Sequence, residues 1–236
     1  MRLLIARKLC CLVLAVAGFA TLAHGGIVTV PLGLGPGATY RLVFDTGAYT
    51  NALSTNIADY NAFVTSEANS VAALAALGAT WNCICSTEAV SAATNIGTTS
   101  SGIYTLDGLE VAVGTAALFN TGTTNLLNPI DINQYGNVWP NPVWDGTLTD
   151  GQSEAGYALG DATPIYGYSA LTSTGYFQYY WESSANSLPV YAISSELTVP
   201  GGVPEPTTIG LTALGGAILV LTWRRKRPNR TPRACE

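Results

Sequence analysis

Basic residues lie almost entirely at the two ends of this 236-residue chain, each group next to an apolar run. Arg41 is the one Lys or Arg between the two runs. Fourteen carboxylates lie between His24 and Pro206 with that single base, so this body carries a net charge of −13. Such a body repels phosphate backbones, which argues against nucleic acid as a partner. The simplest interpretation is a solvated acidic surface, and capture of cations such as calcium is the alternative.

The first apolar run has the composition of a secretory signal. Three basic residues precede an apolar stretch over residues 9–20, and the small residue Ala23 fits a cleavage site, with cleavage after Gly25 as the alternative. We therefore predict a signal peptide over residues 1–23, handled by the Sec export machinery, and an exported domain over residues 24–199. Cys10 and Cys11 would leave with the signal.

The second apolar run, residues 209–223, predicts a short transmembrane helix. With the two preceding threonines it reaches roughly 25 Å, against a hydrocarbon core of about 30 Å. Trp223 and the following arginines can cover the difference. Residues 224–236 should stay cytoplasmic because they begin with a basic cluster. That cluster is Arg224, Arg225, Lys226 and Arg227.

A linker rich in Pro and Gly, residues 200–208, joins the domain to this span and contains Pro204, Glu205 and Pro206. This Pro-Glu-Pro motif, the short span and the Arg-rich end together resemble the PEP-CTERM sorting signal. The resemblance implies that an exosortase, a membrane enzyme of some Gram-negative bacteria, recognises the motif and removes the span. The protein would then reach the cell surface or the extracellular matrix. A simple tail anchor is the alternative.

The body has one clear helical pattern and many short strand patterns. Apolar side chains recur at three- and four-residue spacing over residues 57–75, and Gly78 ends the pattern. Tyr40–Phe44 is rich in strand formers, and a short helix is expected around residues 115–119. Further strands are expected over residues 80–85, 102–106, 109–113, 138–144, 175–181 and 188–199. This pattern predicts an α+β fold with loop-rich antiparallel strands and one main early helix.

Short segments of the body, in this order, resemble the C-type lectin-like class and its endostatin-like branch. They are residues 58–63, 85–87, 103–108, 117–119, 143–147, 150–151 and 159–160. The resemblance implies that Tyr40–Phe44 pairs with a last strand within residues 190–199. The chain would then pass directly from that strand into the terminal linker.

Catalytic and metal chemistry find little support in the sequence. Asp145, Asp150 and Glu154 gather oxygen ligands within ten residues, but their spacing does not match an EF-hand, so a solvated turn is expected and calcium is the alternative. His24 is the sole histidine and lies beside the cleavage site, and no G-x-S-x-G motif is present. We therefore predict no catalytic residues, no cofactor and no metal.

Cys83 and Cys85 alternate along a predicted strand, so their side chains should point to one face. A disulfide between them would close a tight ring, and a metal site would need further ligands. We therefore expect two small buried thiols.

Aromatic residues cluster late in the body. They are Trp139, Trp144, Tyr166, Tyr168, Tyr176, Phe177, Tyr179, Tyr180 and Trp181. We expect them to pack the core, because a loop-rich domain needs large side chains to bury. Exposed rings beside carboxylates would instead suit an extracellular polysaccharide. The sequence thus predicts an exported, non-enzymatic surface or matrix protein, with a carbohydrate- or calcium-binding module as the alternative.

Overall fold

The computed structural model describes residues 26–119 and 125–201, which form an α+β fold, as predicted. The helices are α1 (Ile57–Asn69), α2 (Ala72–Ala75), α3 (Ala92–Ile96) and α4 (Gly114–Leu118), and a 3₁₀ turn spans Thr174–Tyr176. The strands are β1 (Thr39–Asp45), β2 (Thr50–Asn51), β3 (Trp81–Cys83), β4 (Gly102–Thr105), β5 (Glu110–Val113), β6 (Pro142–Trp144), β7 (Ile165–Tyr168), β8 (Tyr180–Trp181), β9 (Ser187–Leu188), β10 (Tyr191–Ser194) and β11 (Leu197–Thr198).

The main sheet is built around β1. Its strand order is β3-β10-β1-β4-β5, and β11 also pairs with β1. Val43 lies opposite Ile193 and Thr39 opposite Thr198, both in antiparallel pairs. The predicted pairing of the first strand with the last ones is therefore confirmed.

The expectation of antiparallel strands is wrong for β1 and β4, which run parallel with Tyr40 opposite Gly102. The connection between them contains β2, α1, α2, β3 and α3. A crossover of this length allows the chain to return to the same end of the sheet, which a parallel pair requires.

Two smaller sheets complete the strand pairing, with orders β2-β9 and β6-β7-β8. The strand β7 was not among the expected ones. The segment 175–181, expected as a continuous strand, contains part of the 3₁₀ turn and then β8. Residues 138–141, expected in a strand, precede β6.

The main helix α1 begins where the sequence suggested. The side chain of Asn56 caps it by accepting a hydrogen bond from the Ala58 amide at 3.2 Å. Tyr60, Val64 and Ala68 form its buried face. The helix does not continue to residue 75, because Val71 has an extended backbone (φ −109°, ψ 115°) before α2 starts.

Alternation along β1 divides the core in two. Leu42 and Phe44 pack with the buried face of α1, whereas Val43 packs with Ile103 and Ile193 in a second cluster. Six of the seven β1 residues are buried, as expected for a central strand covered on both faces.

Cys83 and Cys85 form a disulfide, so the prediction of free thiols is wrong. Both residues are fully buried, as predicted. Extended backbone places both on the face of the first core cluster, while Ile84 between them packs into the second. Their Cα atoms lie 5.3 Å apart, within the range that a disulfide spans.

Several predicted segments lie outside the described residues. They are the signal peptide 1–23, the motif Pro204, Glu205 and Pro206, the span 209–223 and the basic residues Arg224, Arg225, Lys226 and Arg227. Within residues 26–119 and 125–201, no helix combines the length and the apolar character that a membrane span needs.

Candidate functional site: an aromatic groove

A change from buried to exposed aromatic residues follows the 3₁₀ turn. Tyr176 and Phe177 are buried, and the Tyr176 hydroxyl donates a hydrogen bond to the Leu118 carbonyl. The next residues turn outward, and Tyr179, Tyr180 and Trp181 are 55%, 55% and 49% exposed. A buried aromatic pair therefore fixes the start of an exposed aromatic segment.

Backbone pairing with β7 holds that exposed segment in place. Trp181 lies opposite Ile165 and Tyr180 opposite Tyr166 in the β7–β8 ladder. The Tyr179 amide adds a hydrogen bond to the Tyr166 carbonyl at 3.0 Å. The rings are thus attached to a paired strand, which limits their freedom more than a loop would.

Tyr157 joins these rings from a separate loop. Its carbonyl accepts a hydrogen bond from the Ile165 amide at 2.8 Å, next to the start of β7. Its ring lies 6.1 Å from that of Trp181, measured between centroids. Tyr180 and Trp181 stack on each other at 4.4 Å with an angle of 11° between their planes.

These rings line an open groove of about 530 Å³, here called the aromatic groove. Polar side chains of Thr149, Glu154 and Gln178 line it as well. The same three residues line an adjoining depression of about 400 Å³, which also contains Asp150. Rings for stacking and polar groups for hydroxyls therefore meet along one continuous surface.

The half-buried Tyr166 lies at the edge of this surface. Partial burial raises the pKa of Tyr166, and the negative charge of Glu182 raises it further. The ring of Tyr166 lies 6.0 Å from that of Tyr179 and 6.1 Å from that of the buried Trp144. A chain of ring contacts thus connects the groove to the core.

The three carboxylates proposed for calcium do not come together. Asp145 is fully buried, and its Oδ1 accepts a hydrogen bond from the Thr147 amide at 2.8 Å. Asp150 is exposed and accepts a hydrogen bond from the Gln152 amide at 3.0 Å. Glu154 is exposed in the aromatic groove. In the part of the chain that the structure describes, no group of three or more His, Cys, Asp or Glu side chains is placed to hold a metal ion.

Asp45 and Asp145 are both fully buried, which the sequence did not predict. Burial raises the pKa of Asp45 well above its ordinary value; the nearby Ser169 hydroxyl lowers it somewhat, and Asp131 raises it. Neither oxygen of Asp45 has a hydrogen-bond partner, and the Ser169 hydroxyl donates to the Trp139 carbonyl at 3.4 Å. Burial also raises the pKa of Asp145 well above its ordinary value, against the lowering effect of the Thr147 and Gly167 amides.

The expectation that the late aromatic residues pack the core holds for only some of them. Trp144, Tyr176 and Phe177 are buried, whereas Tyr179, Tyr180 and Trp181 are exposed. Trp139, Tyr166 and Tyr168 are intermediate. Tyr157 was not singled out from the sequence, since nothing local indicates that its loop lies against Trp181. The chain matches no protein-family model and no curated protein sequence.

Proposed function

We propose that this chain is an exported surface or extracellular-matrix protein without catalytic activity of its own, sorted by a PEP-CTERM signal that an exosortase processes. By the same proposal the body belongs to the C-type lectin-like class. The pairing of β1 with β10 and β11, expected from that resemblance, supports the assignment.

The end of the sheet supports the sorting role most directly. The Val199 amide donates to the Ala38 carbonyl at 2.8 Å, and the Val199 carbonyl accepts from the Gly37 amide at 3.0 Å. Pro200 and Gly201 are exposed. These hydrogen bonds at Val199, directly after β11, lie five residues before Pro204, and an extended segment of that length can reach roughly 17 Å from the sheet.

Replacing Glu205 with Ala in the native host tests the sorting proposal. We expect the variant to retain the uncleaved C-terminal segment and to remain in the membrane, because the motif would no longer be recognised. Glu88→Ala, which removes an exposed carboxylate of the domain, is the control. Release and C-terminal mass identical to the unchanged protein would refute recognition of the motif.

The aromatic groove supports a second role, binding of an extracellular polysaccharide. Four rings with exposed surface line it together with hydroxyl, amide and carboxylate groups. Pyranose rings present apolar faces that stack on aromatic side chains, while their hydroxyls need polar partners. Export to the surface or the matrix would bring such ligands within reach.

A glycan array probed with the full-length chain tests this second role. We expect binding that survives a chelator and that Trp181→Ala removes, because the Trp181 ring provides stacking surface. If no glycan on the array bound, the polysaccharide role would be refuted, and the sorting proposal would be unaffected.

A further inference from the structure

Carboxylates lie in and next to the aromatic groove, and no Lys or Arg among residues 26–119 and 125–201 lines it. Glu154 lines the groove, and Asp150 lines the depression next to it. Glu182 follows Trp181 directly in the chain, and its charge acts on the hydroxyl of Tyr166. The exposed rings therefore lie in a region of negative charge.

Arg41, the one Lys or Arg of residues 26–201, does not line the aromatic groove. Arg41 is 4% exposed, and its guanidinium donates to the Ser194 carbonyl at 2.5 Å and to the Ile96 carbonyl at 2.9 Å. The same segment carries thirteen carboxylates. An anionic ligand in the groove would thus meet like charge and no compensating cation from this segment.

The rings form a platform and not a cage. Tyr180 and Trp181 stack directly on each other, and Tyr157 contacts Trp181. Rings in mutual contact leave no gap between them for a lone ammonium ion. Their free faces instead suit a flat ligand with apolar surface, such as a pyranose ring.

We propose that the aromatic groove binds a polysaccharide of amino sugars with free, protonated amino groups. The inference rests on the polysaccharide role proposed above and adds the charge of the ligand. Pyranose rings stack on Tyr180 and Trp181, and the ammonium groups pair with Glu154 and its neighbouring carboxylates. The negative faces of the rings attract the same ammonium groups.

Calorimetric titration of the full-length chain, purified in mild detergent, tests the charge preference. The ligands are oligomers of equal length built from glucosamine, N-acetylglucosamine or glucuronate, at about pH 6, where amines and surface carboxylates are both charged. We expect the glucosamine oligomer to bind about fivefold or more tightly than the N-acetylated one, and the glucuronate oligomer not to bind. Added salt should reduce the preference, because it screens exposed charges.

Variants separate the contributions of charge and stacking. Glu154→Gln should bring the affinity for the glucosamine oligomer toward that for the N-acetylated one. Trp181→Ala should abolish binding of both. Tyr135→Ala, which removes an exposed ring that does not line the groove, is the matched control and should bind normally.

Each failure has a distinct meaning. Equal affinity for the glucosamine and N-acetylglucosamine oligomers would overturn the charge inference and support the polysaccharide role. Glucosamine binding that Trp181→Ala leaves intact would overturn the groove as the site. Binding of none of the three would overturn the inference together with the polysaccharide role.

Discussion

Asp45 and Tyr191 lie opposite each other in the antiparallel pairing of β1 and β10, and neither has exposed surface. The Tyr191 hydroxyl donates to the Tyr176 carbonyl at 3.1 Å, so it does not donate to Asp45. Burial raises the pKa of Tyr191 well above its ordinary value, and the charges of Asp45 and Asp145 raise it further. Burial also raises the pKa of Asp45 well above its ordinary value, and neither of its oxygens accepts a hydrogen bond, so this interior favours its neutral, protonated form.

The raised pKa of Asp45 makes the domain less stable as the pH rises. A carboxyl with a raised folded-state pKa contributes full stability below its unfolded pKa of about 3.9 and loses it as the pH passes through the folded value. The amide of an Asp45→Asn variant cannot ionise. The variant should therefore be as stable as the unchanged protein at about pH 4 and more stable at neutral pH. The gap should widen by up to about 1.4 kcal/mol per pH unit until the folded pKa is reached. Thermal melts across this range measure it.

Loss of negative charge alone could also change these melts, because the domain is strongly acidic. Glu88→Gln removes the same charge from an exposed position and controls for that effect. A gap between Asp45→Asn and Glu88→Gln that stays constant with pH would contradict a buried, protonated Asp45.

We predict that removing the guanidinium of Arg41, the one Lys or Arg in residues 26–201, lowers the stability of the domain strongly. Its contacts satisfy the carbonyls of Ser194 and Ile96, which belong to different parts of the fold. Burial lowers the pKa of Arg41, and the charge of Glu196 raises it. Arg41→Met should cost about 3 kcal/mol, because both carbonyls would lose a charged donor. Urea unfolding should show a lower midpoint with an unchanged slope.

Arg41→Lys serves as the comparison. A lysine keeps the charge, but its ammonium cannot reproduce the fork of a guanidinium, so an intermediate loss is expected. Equal stability of Arg41→Met and the unchanged protein would show that the two carbonyl contacts contribute nothing net.

Gly167 lies where β7 closely approaches the 3₁₀ turn, so we predict that a larger side chain at this position is not tolerated. A Cβ atom at this position would lie 2.0 Å from the Tyr176 carbonyl oxygen and 2.7 Å from Asp145 Oδ2. Gly167→Ala must therefore move the turn that leads into the exposed rings. We expect a loss of about 3 kcal/mol and weaker polysaccharide binding, measured by melting and by titration.

Gly35→Ala is the control, since nothing lies within 4 Å of an added Cβ there and its backbone is not left-handed. It should change stability by no more than about 0.5 kcal/mol. If Gly167→Ala behaved like Gly35→Ala, the close approach of β7 to Tyr176 would be wrong.

Local patterns were enough to locate α1 and β1, whereas the strand expected over residues 188–199 is divided among β9, β10 and β11. The pairing of β1 with the last strands was expected from a resemblance and not from a local pattern. The buried positions Tyr60, Val64 and Ala68 repeat at helical spacing, so α1 could be predicted from its own residues. The four-residue strand β7 contains Gly167 and has no strong pattern of its own. It is a strand because β6 and β8 pair with it on both sides.

The aromatic groove shows the same limit for function. Tyr176 and Trp181 are both aromatic residues of one short segment, and composition does not distinguish them, yet Tyr176 is buried and Trp181 is exposed. What separates them is the position of the segment relative to Leu118 and β7, which the local sequence does not encode. The charge of the groove was more predictable, because Arg41 was visibly the only base in the body.

Because Cys83 and Cys85 form a disulfide, we predict that neither thiol is free under non-reducing conditions. The unreduced, denatured protein should therefore resist alkylation at both positions, as measured by mass spectrometry of the peptide that contains them. The same sample after reduction is the internal control and should be alkylated twice. Alkylation of both cysteines without reduction would contradict the bridge. Because the bridge closes a ring of only three residues, its reduction should lower stability by about 1.5 kcal/mol, which urea unfolding with and without reductant can measure.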